Sequence, residues 1–175
     1  AGVKWEPAGK GMLITAAVYD LEEKYRQIPD PNNPLDQVQA GATRTTGVEL
    51  EAVGHALPWL DIAAHYNQID IDEQLEGLPE HQLGVWGTAR FAIGEMPGFV
   101  AGLGTRWMSS FRDGSGPTLP SLTLFDGMFG YERGPWRYAV NVQNLADKTY
   151  VATCLARGDC WYGARRSVVA GARYR

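Results

Sequence analysis

Residues 59–67 read WLDIAAHYN, and apolar and polar side chains alternate along this stretch with a period of two residues. The two sets of positions are Leu60, Ile62, Ala64 and Tyr66 on one side, and Asp61, Ala63, His65 and Asn67 on the other. Successive side chains of a β-strand point to opposite faces of its sheet, so this period indicates a strand with one apolar and one polar face. Residues 136–143 and 167–174 alternate in the same way. Because 21 of the 175 residues are glycine, which disfavours helices, the sequence predicts an all-β protein.

Nine segments of the chain have strand character and are separated by clusters of glycine, proline and polar residues. We predict strands at residues 1–6, 12–24, 45–54, 59–71, 82–93, 98–109, 121–131, 135–150 and 164–175. Most are about 10 to 13 residues long, against the ~5–6 residues of an ordinary strand and the ~9–11 of a strand that crosses a bilayer at a tilt. This length is typical of strands that cross a membrane.

The connections between these strands alternate in length. Short turns lie at residues 7–11, 55–58, 94–97 and 132–134, and long polar loops lie at residues 25–44, 70–81, 110–120 and 149–163. In an up-and-down sheet, this alternation brings the short turns to one end and the long loops to the other. Outer-membrane barrels have short periplasmic turns and long extracellular loops. The sequence therefore predicts an antiparallel, up-and-down transmembrane β-barrel.

Aromatic residues fall near the ends of the predicted strands, where the aromatic girdles of membrane barrels lie. They are Trp5, Tyr19, Trp59, Tyr66, Trp107, Tyr131, Trp136, Tyr150 and Tyr174. Two other arrangements also fit these patterns. One is a complete small outer-membrane barrel of about eight strands with a structural or adhesive role. The other is a soluble β-sandwich that binds sugar or protein.

The composition argues against several classes of protein. The mean hydropathy is −0.26 and no apolar run approaches ~18 residues, which excludes a protein that crosses the membrane with helices. The net charge is −4, with no cluster of lysine and arginine beyond Arg165 and Arg166, so nucleic-acid binding is not expected. No set of Ser, His and Asp or of Cys and His has the context of an activated nucleophile. The sequence therefore predicts that the protein is not an enzyme.

Several charged residues are interpreted as lining the lumen of the barrel. Glu49 and Glu51 are two residues apart on one predicted strand and therefore face the same side. We assign them, with Arg137 and Arg173, to the lumen wall. The partners expected for the two carboxylates are Arg90, Arg106 and Arg137.

No metal site is predicted. His55, His65 and His81 have no spacing that would bring them to one ion. The acidic segment Asp70, Asp72, Glu73 and Glu76 could hold Ca²⁺, but it lacks the ligand spacing of an EF-hand loop. A solvated loop is the favoured interpretation of this segment.

Recognisable motifs occur along nearly the whole chain. They are AGVKW at residues 1–5, residues 13–20, TGVELE at 46–51, LPSLTLFD at 119–126, NVQNLADKTY at 141–150, and the closing residues 154–175 with the pattern Cys-x5-Cys-x-Tyr-Gly-x-Arg-Arg. In this order they resemble the TonB-dependent siderophore receptors of Gram-negative outer membranes, and most closely the ferrichrome-type (ferric hydroxamate) branch.

This resemblance implies a place in a larger molecule. Residues 1–175 would form the C-terminal part, about nine strands, of a ~22-stranded barrel, and the plug domain and N-terminal barrel strands would lie outside the chain. The implied activity is the import of ferric siderophore across the cell outer membrane, with iron as cargo and no cofactor. The implied partners are the ferric siderophore, the TonB–ExbB–ExbD complex acting through an N-terminal region, and outer-membrane lipid or lipopolysaccharide, with no nucleic acid.

The last long loop contains Cys154 and Cys160, which are the only cysteines of the chain. An even number of cysteines in an extracellular setting indicates a disulfide. A metal pair or a redox pair is the alternative, but the Cys-x-x-Cys spacing of such sites is absent and no histidine is near.

Candidate ligand contacts are Trp161 and Tyr162, which follow the second cysteine, and Phe111 and Arg112 in the preceding long loop. Aromatic side chains suit a neutral chelate with apolar surface, such as a ferric hydroxamate. The alternative is that these side chains only pack the loops against one another. For a ligand that presents carboxylates, the expected cluster is Arg112, Arg157, Arg165 and Arg166.

Overall fold

β-strands are the regular elements of the computed structural model, which describes residues 1–7, 11–25, 27–30, 33, 35–39, 42–71, 77–113, 116–155 and 157–175. In chain order they are β1 Gly2–Trp5, β2 Met12–Glu23, β3 Gln27–Pro29, β4 Gln37–Gln39, β5 Thr43–Leu57, β6 Leu60–Ile71, β7 His81–Ile93, β8 Met96–Met108, β9 Leu122–Arg133, β10 Trp136–Gln143, β11 Val151–Cys154, β12 Cys160–Tyr162 and β13 Ser167–Tyr174. Over these ranges, no helix is long and apolar enough to cross a membrane.

Nine of these strands form one antiparallel sheet in the order β1-β2-β5-β6-β7-β8-β9-β10-β13. Each strand pairs with the next in this series, so the chain runs up and down across the sheet. The all-β, antiparallel prediction and its nine strands are confirmed. Within the described part of the chain, β1 pairs only with β2 and β13 only with β10, so both edges of the sheet are open.

The two ends of the sheet differ as predicted. Two-residue turns join β5 to β6, β7 to β8 and β9 to β10, and Gly94 and Gly134 in two of these turns have φ of 59° and 57°. Glycine adopts such a left-handed conformation without steric cost. At the opposite end the connections span residues 24–42, 72–80, 109–121 and 144–166. We call these the turn end and the loop end.

Two predicted strand boundaries at the loop end are wrong. The strand predicted at 135–150 ends at Gln143, and the strand predicted at 164–175 begins at Ser167. Asn144 and Asp147 each have φ of 51°, a conformation that cannot continue a strand. Part of the intervening loop forms its own antiparallel hairpin, β11–β12, and β3 and β4 form another within the first long loop.

One face of the sheet is apolar and the other is polar. Cross-strand partners share a face, so the strand pairing shows which residues belong to each. A typical apolar row is Ile14, Ala52, Ala64, Val85, Thr105 and Phe125. The adjacent row on the other face is Thr15, Glu51, His65, Gly84, Arg106 and Leu124. The sheet is a single layer, so large side chains of the apolar face are exposed, including Leu103 at 63%. Most of the buried hydrophobic side chains among the described residues, including Leu119 and Leu122, lie instead at the loop end.

Aromatic side chains gather at the turn end of the apolar face. Phe99 packs on Phe91 and Tyr131 with ring centroids 6.0 and 4.6 Å apart, and Trp136 packs on Tyr174 at 5.1 Å. Two aromatics assigned to the girdles do not belong there. Tyr19 is two residues from Ala17, which is paired with Glu49 on the polar face, so Tyr19 lies on the polar face as well. Tyr150 lies in the loop beyond β10.

Candidate functional site

The hairpin β11–β12 at the loop end carries the strongest ligand candidates. Cys154 and Cys160 face each other across it and form a disulfide with an S–S distance of 2.01 Å, which confirms the predicted bond. Trp161 pairs in register with Thr153, and its side chain is 47% exposed. Tyr162 is 77% exposed. The hairpin therefore presents two adjacent aromatic residues to solvent.

The hairpin is attached to the sheet through Asn144, the first residue after β10. The residue is only 3% exposed, and its backbone N–H donates a 2.9 Å hydrogen bond to Asp126 Oδ1 on β9. Its side-chain amide donates to the carbonyl oxygens of Lys148 at 2.8 Å and Ala164 at 3.2 Å, and its Oδ1 accepts from the Lys148 N–H at 2.8 Å. One buried side chain thus joins the two ends of the segment that contains the hairpin.

Asp147 makes a second connection between the same two ends. Arg165 donates two hydrogen bonds to its carboxylate, Nε to Oδ1 at 2.9 Å and Nη2 to Oδ2 at 2.6 Å, and the Arg166 N–H donates to Oδ1 at 2.9 Å. The pKa of Asp147 is well below its usual range. The hydrogen bonds from Arg165 are the largest cause, and the bond from the Arg166 N–H is the second. The same contact raises the pKa of Arg165. The carboxylate therefore stays ionised over the whole physiological pH range.

A third contact at the hairpin base is steric. The ring of Tyr150 lies directly on Gly163, where an added Cβ would be only 2.0 Å from the ring. The Gly163 N–H donates to the Tyr150 carbonyl at 2.9 Å. Sequence reasoning treated Asn144, Asp147, Tyr150 and Gly163 as parts of a family-like motif and did not assign their contacts. The signal was present in the residue types at 144 and 147, since Asn and Asp are the non-glycine residues that most readily adopt positive φ.

The second candidate loop meets the first. Phe111 and Leu119 exchange backbone hydrogen bonds of 3.2 and 2.8 Å, which close the loop at residues 109–121. An added Cβ at Gly116 would be 3.0 Å from the Leu155 carbonyl oxygen, so this loop touches the hairpin. The structure thus brings the loop of Phe111 and Arg112 against the loop of Trp161 and Tyr162, and all four residues stay candidates.

The arginines expected to bind a carboxylate ligand already have partners within the chain. Arg157 is paired with Asp159, and Arg165 is paired with Asp147. Arg166 Nη1 donates to the Leu145 carbonyl oxygen at 3.3 Å. These guanidinium groups stabilise the hairpin and its base, which weakens the case for a site that selects carboxylates.

The polar face carries the charges assigned to the lumen, but their pairing differs from the expectation. Arg106 Nε donates to Asp126 Oδ2 at 2.6 Å, and Arg137 Nε lies 2.9 Å from Glu132 Oε1. Arg90 and His55 both contact Asp61. Each of these three arginines pairs with a carboxylate on an adjacent strand. Arg137 lies directly opposite Glu132, whereas Arg90 and Arg106 reach diagonally to Asp61 and Asp126. Among the described residues, Glu49, Glu51 and Arg173 form no ion pair.

The histidines occupy separate places on the sheet. His55 bonds to Asp61, His65 lies over Gly84, and His81 Nδ1 is 3.0 Å from the Tyr66 hydroxyl. No group of three potential metal ligands occurs in the described part of the chain. Of the acidic segment considered for Ca²⁺, Asp72, Glu73 and Glu76 lie outside the described residues.

Comparison with known proteins gives consistent matches. A family model described as TonB dependent receptor-like, beta-barrel, matches residues 1–145. A ferrichrome outer membrane transporter and phage receptor of Escherichia coli K12 is 30% identical over 99% of this chain and 25% of its own length. A ferrioxamine B receptor of Salmonella typhimurium is 33% identical over 97% of this chain and 26% of its own length.

The solved structures show the same fold. The closed form of the ferric-catecholate import receptor Fiu from E. coli K12 superimposes with a TM-score of 0.82 at 24% identity, over 99% of this chain and 26% of that one. The chain therefore spans about a quarter of the length of the relatives that it matches.

Proposed function

The chain belongs to the TonB-dependent receptors, as part of their β-barrel, and we propose that it forms part of the wall and external loops of an outer-membrane receptor that imports ferric siderophore. Its curated relatives include receptors for ferrichrome and ferrioxamine B. The polar face would line the lumen, the apolar face would meet lipid, and the loop end would lie outside the cell.

We assign the chain to one segment of a larger barrel. Its sheet has two open edges among the described residues, and an open edge is not tolerated in lipid. Additional strands of the complete receptor would pair with β1 and β13, and a plug domain would occupy the lumen. This arrangement is favoured over a small barrel of about eight strands, because the nine strands of this sheet do not close on one another.

The proposed cargo is a ferric hydroxamate. The observation that carries this choice is the exposed pair Trp161 and Tyr162 on a hairpin whose arginines are already paired. Aromatic faces bind a neutral chelate through apolar contact, whereas a carboxylate-rich chelate would need available guanidinium groups. Phe111 and Arg112, on the adjoining loop, would form the opposite side of the ligand path.

Transport by this protein would need no bond-making step. Binding at the loops would capture the chelate, and energy delivered by TonB–ExbB–ExbD to an N-terminal region would open the plug. Iron would pass as cargo inside its chelate, so no resident cofactor is required. Lipid or lipopolysaccharide would contact the apolar face.

The test is a binding and uptake measurement on the full-length receptor in its own outer membrane. We expect the double substitution W161A/Y162A to raise the Kd for ferrichrome or ferrioxamine B roughly tenfold or more, since aromatic contacts each contribute ~0.5–1.5 kcal/mol beyond their area. The matched control is Tyr25→Ala, because Tyr25 is 73% exposed in a different loop. Unchanged affinity in W161A/Y162A, or tight binding of a catecholate chelate with none of a hydroxamate, would reject this assignment.

A further inference from the structure

The base of the aromatic hairpin is built from side chains whose contacts form one connected chain. Arg106 on β8 donates two hydrogen bonds to Asp126 on β9, with Nε to Oδ2 at 2.6 Å and Nη2 to Oδ1 at 3.0 Å. Asp126 Oδ1 also accepts the backbone N–H of Asn144 at 2.9 Å. The Leu145 N–H donates to the Phe125 carbonyl at 2.7 Å. The polar face of the sheet is thus linked directly to the first residue of the loop that carries the hairpin.

Asn144 uses every hydrogen-bonding atom of its side chain on the two ends of that loop. Its amide nitrogen binds the carbonyls of Lys148 and Ala164, and its amide oxygen binds the Lys148 N–H. Because the side chain is 3% exposed, water cannot replace these bonds when one is lost. An aspartate at this position would place a carboxylate against two carbonyl oxygens that now accept hydrogen bonds.

The bond to Ala164 lies close to the ligand candidates. Ala164 is two residues beyond Tyr162 and three beyond Trp161. Tyr150 and Gly163, which are in contact, separate the hairpin from this anchor. Strand β12 carries both aromatic residues, and it is therefore the strand of the hairpin whose end Asn144 attaches to the sheet.

Asp147, which is partly exposed, reinforces the same attachment. Its carboxylate holds Arg165 and the Arg166 N–H, and Arg166 Nη1 reaches back to the Leu145 carbonyl. With both ends of the loop joined at two places, and with a disulfide within the hairpin, the hairpin is held as one unit on the sheet.

From these contacts we infer that Asn144 and Asp147 are positioning residues for the ligand site: they set the orientation in which the hairpin presents Trp161 and Tyr162. This role rests on the proposed function, because it concerns the same two aromatic residues. It differs from a general contribution to stability, since its effect on affinity must pass through those two side chains.

The test is a double-mutant cycle on ferrichrome affinity, measured with the full-length receptor in outer membranes. We expect Asn144→Asp to raise the Kd roughly tenfold, the effect of losing buried hydrogen bonds. In the W161A/Y162A background the same substitution should change the Kd by less than about twofold, because the residues that it positions are gone. Uptake per bound ligand should be unchanged, so that the KM rises and the maximal rate does not.

Asn141→Asp is the matched control, since it makes the same chemical change three residues earlier. Asn141 is exposed on the polar face of β10 and has no side-chain hydrogen bond to another described residue. We expect its Kd to stay within about twofold of the wild-type value, the range of surface substitutions. Asp147→Asn, at a partly exposed position, gives a second variant for the cycle if Asn144→Asp prevents barrel assembly. Assembly is read from heat-modifiable migration in gels.

The possible results separate the two proposals. The first result concerns a receptor in which W161A/Y162A raises the Kd. If Asn144→Asp and Asp147→Asn then leave the wild-type Kd unchanged, or raise the Kd of W161A/Y162A by the same factor as that of the wild type, the positioning role is wrong and the ligand site stands. If W161A/Y162A itself leaves ferrichrome and ferrioxamine B binding unchanged, the ligand site is wrong and the positioning role falls with it.

Discussion

Asn144 and Asp147 show how single residues decide the geometry of the loop end. Both have a left-handed backbone, with φ of 51°, and both use their side chains to hold backbone groups on the far side of the loop. Asn and Asp adopt this conformation more readily than other non-glycine residues, and their short polar side chains reach nearby backbone groups. Asn144 therefore ends β10, and both residues anchor the hairpin.

The pH dependence of this anchor follows from the lowered pKa of Asp147. In the unfolded chain the carboxyl would titrate near ~3.9, whereas the bonds from Arg165 and Arg166 hold the folded pKa well below that value. A group whose pKa is lower in the folded state contributes its full stability above its unfolded pKa and loses it progressively as the pH falls from that value through the folded pKa. We therefore expect the hairpin base to persist at ~pH 3, below the ordinary titration of aspartate.

Pepsin cleavage next to the exposed Trp161 and Tyr162 measures this, because the enzyme is active in acid. We expect the wild-type receptor to be cleaved more slowly than Asp147→Asn at pH 4 and still at pH 3, with the difference disappearing only at lower pH. Comparing the two proteins at each pH removes the pH dependence of pepsin itself. Equal cleavage rates at pH 4 would mean that the ion pair does not hold the hairpin.

At the scale of the strands, alternation and turn spacing were sufficient to predict the sheet, but not where its strands end. The period of two residues at 59–67 reports which side chains share a face, so β6 and its neighbours could be placed. The end of β10 depends on Asn144, whose partners Lys148 and Ala164 lie 4 and 20 residues away. Such contacts leave no periodic signal. For the same reason Arg106 was not matched with Asp126, 20 residues further along the chain.

Contacts between neighbouring strands also depend on glycines that accommodate aromatic rings. Trp86 on β7 lies across Gly102 and Gly104 of β8, where an added Cβ would be 2.5 and 2.3 Å from the ring, and its Nε1 donates to Thr88 Oγ1 at 2.8 Å. The ring thus covers backbone on the polar face that would otherwise be bare.

We expect Gly104→Ala to destabilise the barrel by ~1–3 kcal/mol, because the new methyl group must displace the Trp86 ring. Gly171→Ala is the matched control, since Gly171 lies on the same face of β13, has no positive φ and would meet no atom within 4 Å. The temperature at which the folded band of the full-length receptor converts to the unfolded band in gels gives the comparison. An equal temperature for both variants would show that the ring is free to move aside.

For the molecule as a whole, the two faces of the sheet are the feature that connects sequence to function. A one-layer sheet buries few hydrophobic side chains of its own, and it leaves residues such as Leu103 and Phe129 exposed on one side. On the other side, charged residues form pairs across the strands, including Arg106 with Asp126 and Arg137 with Glu132. Lipid on the apolar side and a water-filled or plugged lumen on the polar side satisfy both faces at once.

The sequence predicts an aromatic loop end outside the cell, and within it the predicted disulfide between Cys154 and Cys160 is confirmed. The identity of the cargo could not be read from the sequence of the loops alone, because it depends on which side chains the folded loops leave available. The structure shows that Arg157 and Arg165 are engaged and that Trp161 and Tyr162 are exposed. That distinction is what favours a neutral chelate.

The most direct test of the receptor-wall assignment is cysteine scanning along β10 in intact outer membranes of cells that produce the full-length receptor. Single cysteines at Tyr138, Ala139, Val140 and Asn141 would be treated with a water-soluble maleimide, which the disulfide-bonded native cysteines do not consume. We predict reaction at positions 139 and 141, whose side chains lie on the polar face of the sheet, and none at 138 and 140, whose side chains lie on the apolar face. Equal reaction at all four positions, or reaction only at 138 and 140, would contradict the assignment of this sheet to the wall of an outer-membrane receptor.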